Sequence, residues 1–229
     1  MNRTVQAILL FLVGGVLLHA GVTGLYLRYV KAGLRPLVLA AGVVLVIAAV
    51  ATVWYARRRP AGHPAPRVSW LLVLPVFALI LAAPPALGSY SAMRTGTAVT
   101  APRIVAPLPD GDPVRLTVID YADRAVYDHG RSLAGRTVTI TGFVAFDHSG
   151  TPYLVRMLLN CCAADAQPVK VGLTGRVPPV LQPDSWLEVT GGYTDRQATD
   201  PVNGGTIPFV DVGEARPVAP PADPYESLG

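Results

Sequence analysis

Three runs of this chain carry no charged side chain: Val5–Leu27, Pro36–Ala56 and Val68–Met93. Each is long enough for a bilayer core of about 30 Å, which takes about 20 helical residues. The pattern predicts three transmembrane helices, over 5–27, 34–56 and 68–90. Pro75, Pro84 and Pro85 interrupt the third. Its "APPALGSYS" end is expected to close the helix at an interface, with Tyr90 at headgroup level. The first run is too long for the apolar region of a signal peptide, and no A-x-A-like site precedes its end. It reads as an uncleaved anchor.

Past residue 91 the pattern changes. Residues 91–113 are small, polar and Pro-containing, which suits a linker. Alternation then begins. "VRLTVIDY" reads as a strand, and "DRAVYDHGRSLAG" as a short helix closed by Gly135. "RTVTITGFVAF" follows as a strand in which Gly142 suggests a bulge or bend. "PYLVRMLL", "PVKVGLTG", "SWLEVTGGYTD" and "TIPFVDVGEARPV" supply four more. Short strands at this spacing predict a small, mainly-β, OB-like barrel over 114–218. The chain thus divides into a membrane domain (1–90), a linker (91–113), a barrel domain and a disordered tail (219–229).

Composition agrees. Hydrophobic residues make up 51% of the 229 positions and charged residues 15%, with a mean hydropathy of +0.41, too apolar for an ordinary soluble domain. The basic pI is a product of the membrane flanks. Residues 1–99 hold nine basic residues and no acid; residues 100–229 hold ten basic residues and all fifteen acids. No clustered basic face for phosphate results, so nucleic acid is not expected as a partner. Arg3, Arg57, Arg58, Arg59 and Arg67 flank one side of the spans; Arg28, Lys31 and Arg35 flank the other. The positive-inside rule then places the N-terminus in the cytoplasm and the barrel domain outside it, in a multi-pass membrane protein.

The candidate chemistry lies in "YLVRMLLNCCAADAQP", which holds the only two cysteines, Cys161 and Cys162. Consecutive Cα atoms are about 3.8 Å apart, whereas a disulfide wants about 4.4–6.8 Å. A structural bridge between neighbours is therefore disfavoured. Three readings stay open. The thiolates could bind a soft or borderline metal such as Zn²⁺ or Cu(I), with Asp165 as a third ligand. The strand is expected to end there, so a turn could bring both sulfurs to one side. His148, or a group from another chain, would have to complete such a site. Alternatively the pair is a thiol redox switch, or both cysteines are small buried hydrophobes near the barrel end. Arg156 could lower a thiol pKa or fix Asp165, or simply face outward. His129 and His148 are isolated in sequence. Asp120, Asp123 and Asp128 read as a solvated face. No nucleophile motif, phosphate loop or HExxH occurs, so an enzyme is not expected.

The layout also resembles a known family. An apolar N-terminal half, "GRTVTITGFV", the CCxADAxP element (Cys161, Cys162, Ala164, Asp165, Ala166, Pro168) and "SWLEVTGGYT" are similar to the YcgQ-like bacterial membrane proteins. The resemblance covers most of the chain. It implies the accessory subunit of a two-component transport system, working beside a YcgR-type membrane permease, with a transition metal as a cargo class. The alternatives are an extracytoplasmic thiol redox protein and a barrel binding module with purely structural cysteines.

Overall fold

The computed structural model describes residues 3–58, 73–82, 84–99 and 107–227. They fall into two compact units, divided between Ala86 and Leu87.

The first unit is built on two helices, α1 (Arg3–Thr23) and α2 (Arg35–Arg58). Among the described residues they are the two helices long and apolar enough to cross a membrane, with mean hydropathies of 2.2 and 2.7. They pack at a glycine contact. A Cβ on Gly14 would meet Gly42 O at 2.9 Å, and one on Gly42 would meet Leu18 at 2.8 Å. Close backbone approach of this kind is what small residues allow between apolar helices. The bend between them is tied by Arg35 Nε, which donates to Gly21 O at 3.0 Å. Of the third predicted span, residues 68–72 and 83 lie outside the described residues. What is described is a nine-residue helix, α3 (Val73–Leu81), after which the chain is non-helical at Pro84–Gly88.

The second unit begins with a short helix, α4 (Ser89–Arg94), and a two-residue strand, β1 (Val114–Arg115). Helix α5 (Val118–Tyr127) follows, then strands β2 (Val138–Phe146), β3 (Pro152–Leu158), β4 (Gln167–Gly175), β5 (Trp186–Thr199), β6 (Thr206–Pro217) and β7 (Tyr225–Glu226). Strand β2 pairs with both β3 and β5, β3 with β4, β4 with β6, and β6 with β5. These pairings close a five-stranded barrel. All are antiparallel except β4–β6, which is parallel. The ring runs first–second–third–fifth–fourth strand and back to the first, a Greek-key order. Inward side chains such as Val138, Ile140, Leu154, Val171, Val189 and Val210 fill the core. Helix α5 touches all five barrel strands and supplies Tyr121, Ala122 and Ala125 to the same core. Gly142 lets β2 pass close to β3, since a Cβ there would lie 2.7 Å from Val155 O.

Three local expectations are corrected. "VRLTVIDY" is a strand only at Val114–Arg115, and the helix begins at Val118. Its β-branched residues are overruled by capping: Thr117 Oγ1 accepts from Asp120 N at 3.1 Å, and Glu226 accepts from Val118 N and Ile119 N at 3.0 and 3.1 Å. Part of the tail expected to be disordered is ordered. Tyr225 is buried and pairs with Met157 in β7. Within the predicted linker, Thr97, Ala98 and Val99 are buried in the second unit, while residues 100–106 lie outside the described residues.

Candidate metal centre

Strand β3 ends at Leu158 opposite Gln167, the first residue of β4. Residues 159–166 connect the two at one end of the barrel. The chain turns sharply there. Asp165 N donates to Cys162 O at 3.0 Å, making a single 3₁₀ turn over Ala163–Asp165. The Asp165 carboxylate folds back onto the chain before the turn. It accepts from Asn160 N at 3.2 Å and from Cys161 N at 2.9 Å. An aspartate that satisfies backbone donors a few residues away is a common way to fix a tight turn.

This turn breaks the strand alternation that would have sent the two sulfurs to opposite faces. One ligand atom each from Cys161, Cys162 and Asp165 lies within 4.8 Å of the others. Two sulfurs on one zinc, each at about 2.3 Å, sit at most about 4.6 Å apart. At a tetrahedral angle the same two sulfurs would sit about 3.8 Å apart, so the three groups can converge on one small soft or borderline ion with adjustments of up to about an ångström. Both cysteines are free; Cys161 is exposed and Cys162 half-buried. That is not the setting of two core hydrophobes.

The electrostatics favour a protonated Cys161 beside an ionised Asp165. A hydrogen bond to Asp165 and another to Cys162, with a smaller contribution from desolvation, push the Cys161 thiol up to about 11. The same Cys161 bond, with the backbone donors, holds the Asp165 carboxyl below its usual range against an opposing desolvation. At neutral pH Cys161 is thus a thiol that donates to a carboxylate. A metal ion bound there would have to displace that proton.

The two supporting residues expected from sequence are elsewhere. His148 is exposed in the β2–β3 turn, at the far end of β3 from the cysteines. The seven residues of β3 alone span roughly 23 Å at about 3.3 Å each. It does not complete the site. Arg156 is buried and is committed to the C-terminal strand. Its Nη2 donates to Asp223 O at 3.3 Å and Tyr225 O at 3.0 Å, its Nε lies 3.5 Å from Glu226 Oε1, and its guanidinium stacks over Trp186 at 4.9 Å. It is neither an outward-facing residue nor a partner of Asp165. Asp123, read as solvated, is buried in α5.

Sequence reasoning missed one buried cluster. Lys170 Nζ sits 2.7 Å from Asp200 Oδ2, both side chains essentially inaccessible. Lys170 also donates to Thr95 O at 2.8 Å, and Asp200 accepts from Thr97 N at 3.0 Å. With Ala98 N donating to Pro168 O at 2.8 Å, this cluster fastens residues 95–99 across the outside of β4. A lone lysine inside the apolar-alternating "PVKVGLTG" was the available signal, since unpaired lysines are almost never buried.

Fold and site together define a class: two apolar helices that could span a membrane, then a five-stranded barrel domain carrying a dithiol–carboxylate turn. The chain belongs to the family described as the DUF1980 C-terminal domain, whose model matches residues 110–226, just over half of the 229 residues. No curated protein and no solved structure matches it. The matched segment ends at Glu226, so it includes β7 as well as the barrel.

Proposed function

We propose that this protein is a membrane-anchored accessory subunit of a permease, which holds a transition metal ion at Cys161, Cys162 and Asp165. One observation carries the reading. Two thiols and a carboxylate converge within 4.8 Å on an exposed turn whose backbone is pinned by the same carboxylate. Two sulfurs and one oxygen favour Zn²⁺ or Cu(I) over hard cations, which prefer oxygen ligands. When bound, such an ion supplies a Lewis-acidic centre with thiolate and carboxylate donors. Three protein ligands leave a tetrahedral ion one open position. His148 does not reach it, so the open position suits exchange with a second molecule better than permanent structural binding.

The resemblance to the YcgQ-like family supports a YcgR-type permease as that second molecule. With α3 as part of a third span, the positive-inside balance supports an extracytoplasmic barrel domain. The two alternatives lose support. Cys161 is held protonated, which weighs against Cys161 as the attacking thiol of a redox pair. In OB-like barrels, the second and third strands form the usual ligand face. Here the outward Val155, Met157 and Lys170 are buried, and residues 95–99 are fastened across β4. That disfavours a binding module using this face.

The test is a titration of the full chain in detergent, reduced and without oxygen, with Zn²⁺ and with Cu(I). Bound metal and free thiol are followed together, with Cys161→Ser/Cys162→Ser as control. One ion per chain, lost in the control, is the expected result. No binding, with thiols reactive toward a disulfide reagent throughout, would end the metal reading.

A further inference from the structure

Among the described residues of the second unit the two most exposed large apolar side chains are Val180, at 81%, and Tyr90, at 70%. They belong to segments tied to each other. Ser89 N, at the start of α4, donates to Asp184 Oδ1 at 2.6 Å, and Asp184 closes the β4–β5 loop that carries Val180. A Cβ on Gly88 would lie 2.4 Å from Asp184 Oδ1, so the backbone there is seated against the loop.

Both segments have the chemistry of a bilayer interface. From Val177 to Pro183 the loop reads "VPPVLQP", without a charge. Val177 and Leu181 turn inward onto the barrel core, which leaves Val180 at the tip. In α4, Ala92 is buried while Tyr90 faces out with Arg94 stacked on its ring at 4.4 Å. A tyrosine with an arginine over it is the pairing found at headgroup depth, where the ring is half in hydrocarbon and the cation meets phosphate. Covalent continuity names the occupant. The uncharged run Val68–Met93 contains both α3, which ends at Leu81, and α4, so a bilayer holding α3 lies no more than nine residues of chain from Tyr90. Singly exposed apolar residues need no explanation. Two on linked segments beside the exit of an apolar run do.

We infer that Tyr90, Arg94 and the Val180 loop form a lipid-contacting edge of the barrel domain, seated in the headgroup layer of the bilayer. The inference rests on the membrane-anchored reading. Its consequence is that the barrel is held against the membrane surface rather than tethered freely.

The test uses the full chain with Cys161→Ser/Cys162→Ser, reconstituted in phosphatidylcholine–phosphatidylglycerol vesicles. An environment-sensitive fluorophore is placed by Val180→Cys, by Val202→Cys as an aqueous control, and by Val44→Cys on α2 as a membrane control. The expected result is that headgroup-proximal nitroxide lipid quenches the Val180 label while aqueous iodide does not, and that the Val202 label behaves oppositely. Iodide quenching at Val180, or protection from both quenchers, overturns the inference while the Val44 label stays lipid-quenched. A Val44 label that escapes nitroxide lipid at every depth overturns the membrane reading and the inference with it.

Discussion

Arg156 Nε lies 3.5 Å from Glu226 Oε1, joining the middle of a barrel strand to the short strand β7 seventy residues later. Glu226 also accepts from Val118 N and Ile119 N, and so caps α5 at the same time. One buried carboxylate therefore fastens a strand, a helix end and the C-terminal segment. Removing one partner of a buried pair leaves a buried charge, at a cost of about 3–5 kcal/mol. Glu226→Ala and Arg156→Ala should each destabilise the barrel domain by that order in denaturant melts of the full chain. The double variant should cost clearly less than the two added together. Strict additivity would mean that the two side chains do not interact.

The same residue predicts a pH effect. Burial holds the Glu226 carboxyl above its usual range, opposed by the α5 amides and Arg156. The folded state then keeps a proton at pH values where the unfolded chain has released it. Stability contributed by this group falls as pH rises from its unfolded value near 4.5 through its folded value. Glu226→Gln removes that dependence, so its stability relative to the parent should improve as pH rises through this window. A pH-independent difference would contradict the assignment.

These relationships bear on how much could be read from the sequence. Alternation located β2 through β6, because residues such as Val138, Ile140, Val169 and Val171 obey the period of a half-buried strand. The uncharged runs located α1 and α2. The adjacent cysteines with Asp165 were legible as a candidate site because the thiols stand at a strand end. What escaped was non-local. Nothing near Arg156 announces Glu226, and nothing near Lys170 announces Asp200. A Pro-rich tail looks disordered until Tyr225 finds Met157. The start of α5 did leave a trace: Thr117 and Asp120 have the spacing of a helix N-terminal cap, hidden inside an alternating apolar run.

The Lys170–Asp200 pair makes its own prediction. It fastens Thr95 and Thr97 to β4 and the β5 end. Asp200→Ala should destabilise the second unit by about 3–5 kcal/mol, since Lys170 would stay buried and uncompensated. Limited proteolysis should then cut near Thr95–Val99, which the parent protects. Lys170→Met/Asp200→Leu should recover part of the lost stability, since it removes both charges together. If the double variant is as unstable as Asp200→Ala, the cost lies in the lost backbone bonds to Thr97 and Val202 instead.

Asp165 has two roles in the proposed site, and they pull in opposite directions. Its hydrogen bond is the largest influence raising the Cys161 thiol to about 11. Asp165→Asn should therefore lower that pKa, and Cys161 should react faster with a disulfide reagent at pH 8. The same substitution removes a ligand and loosens the 160–165 turn, so metal affinity should fall. Faster thiol chemistry with weaker metal binding is a combination that a purely structural aspartate would not give. In the parent chain, binding must release the Cys161 proton throughout the neutral range. Apparent affinity should thus rise about tenfold per pH unit for each proton released between pH 6 and 9. A flat affinity profile over that range would show that the ion does not bind through this thiol.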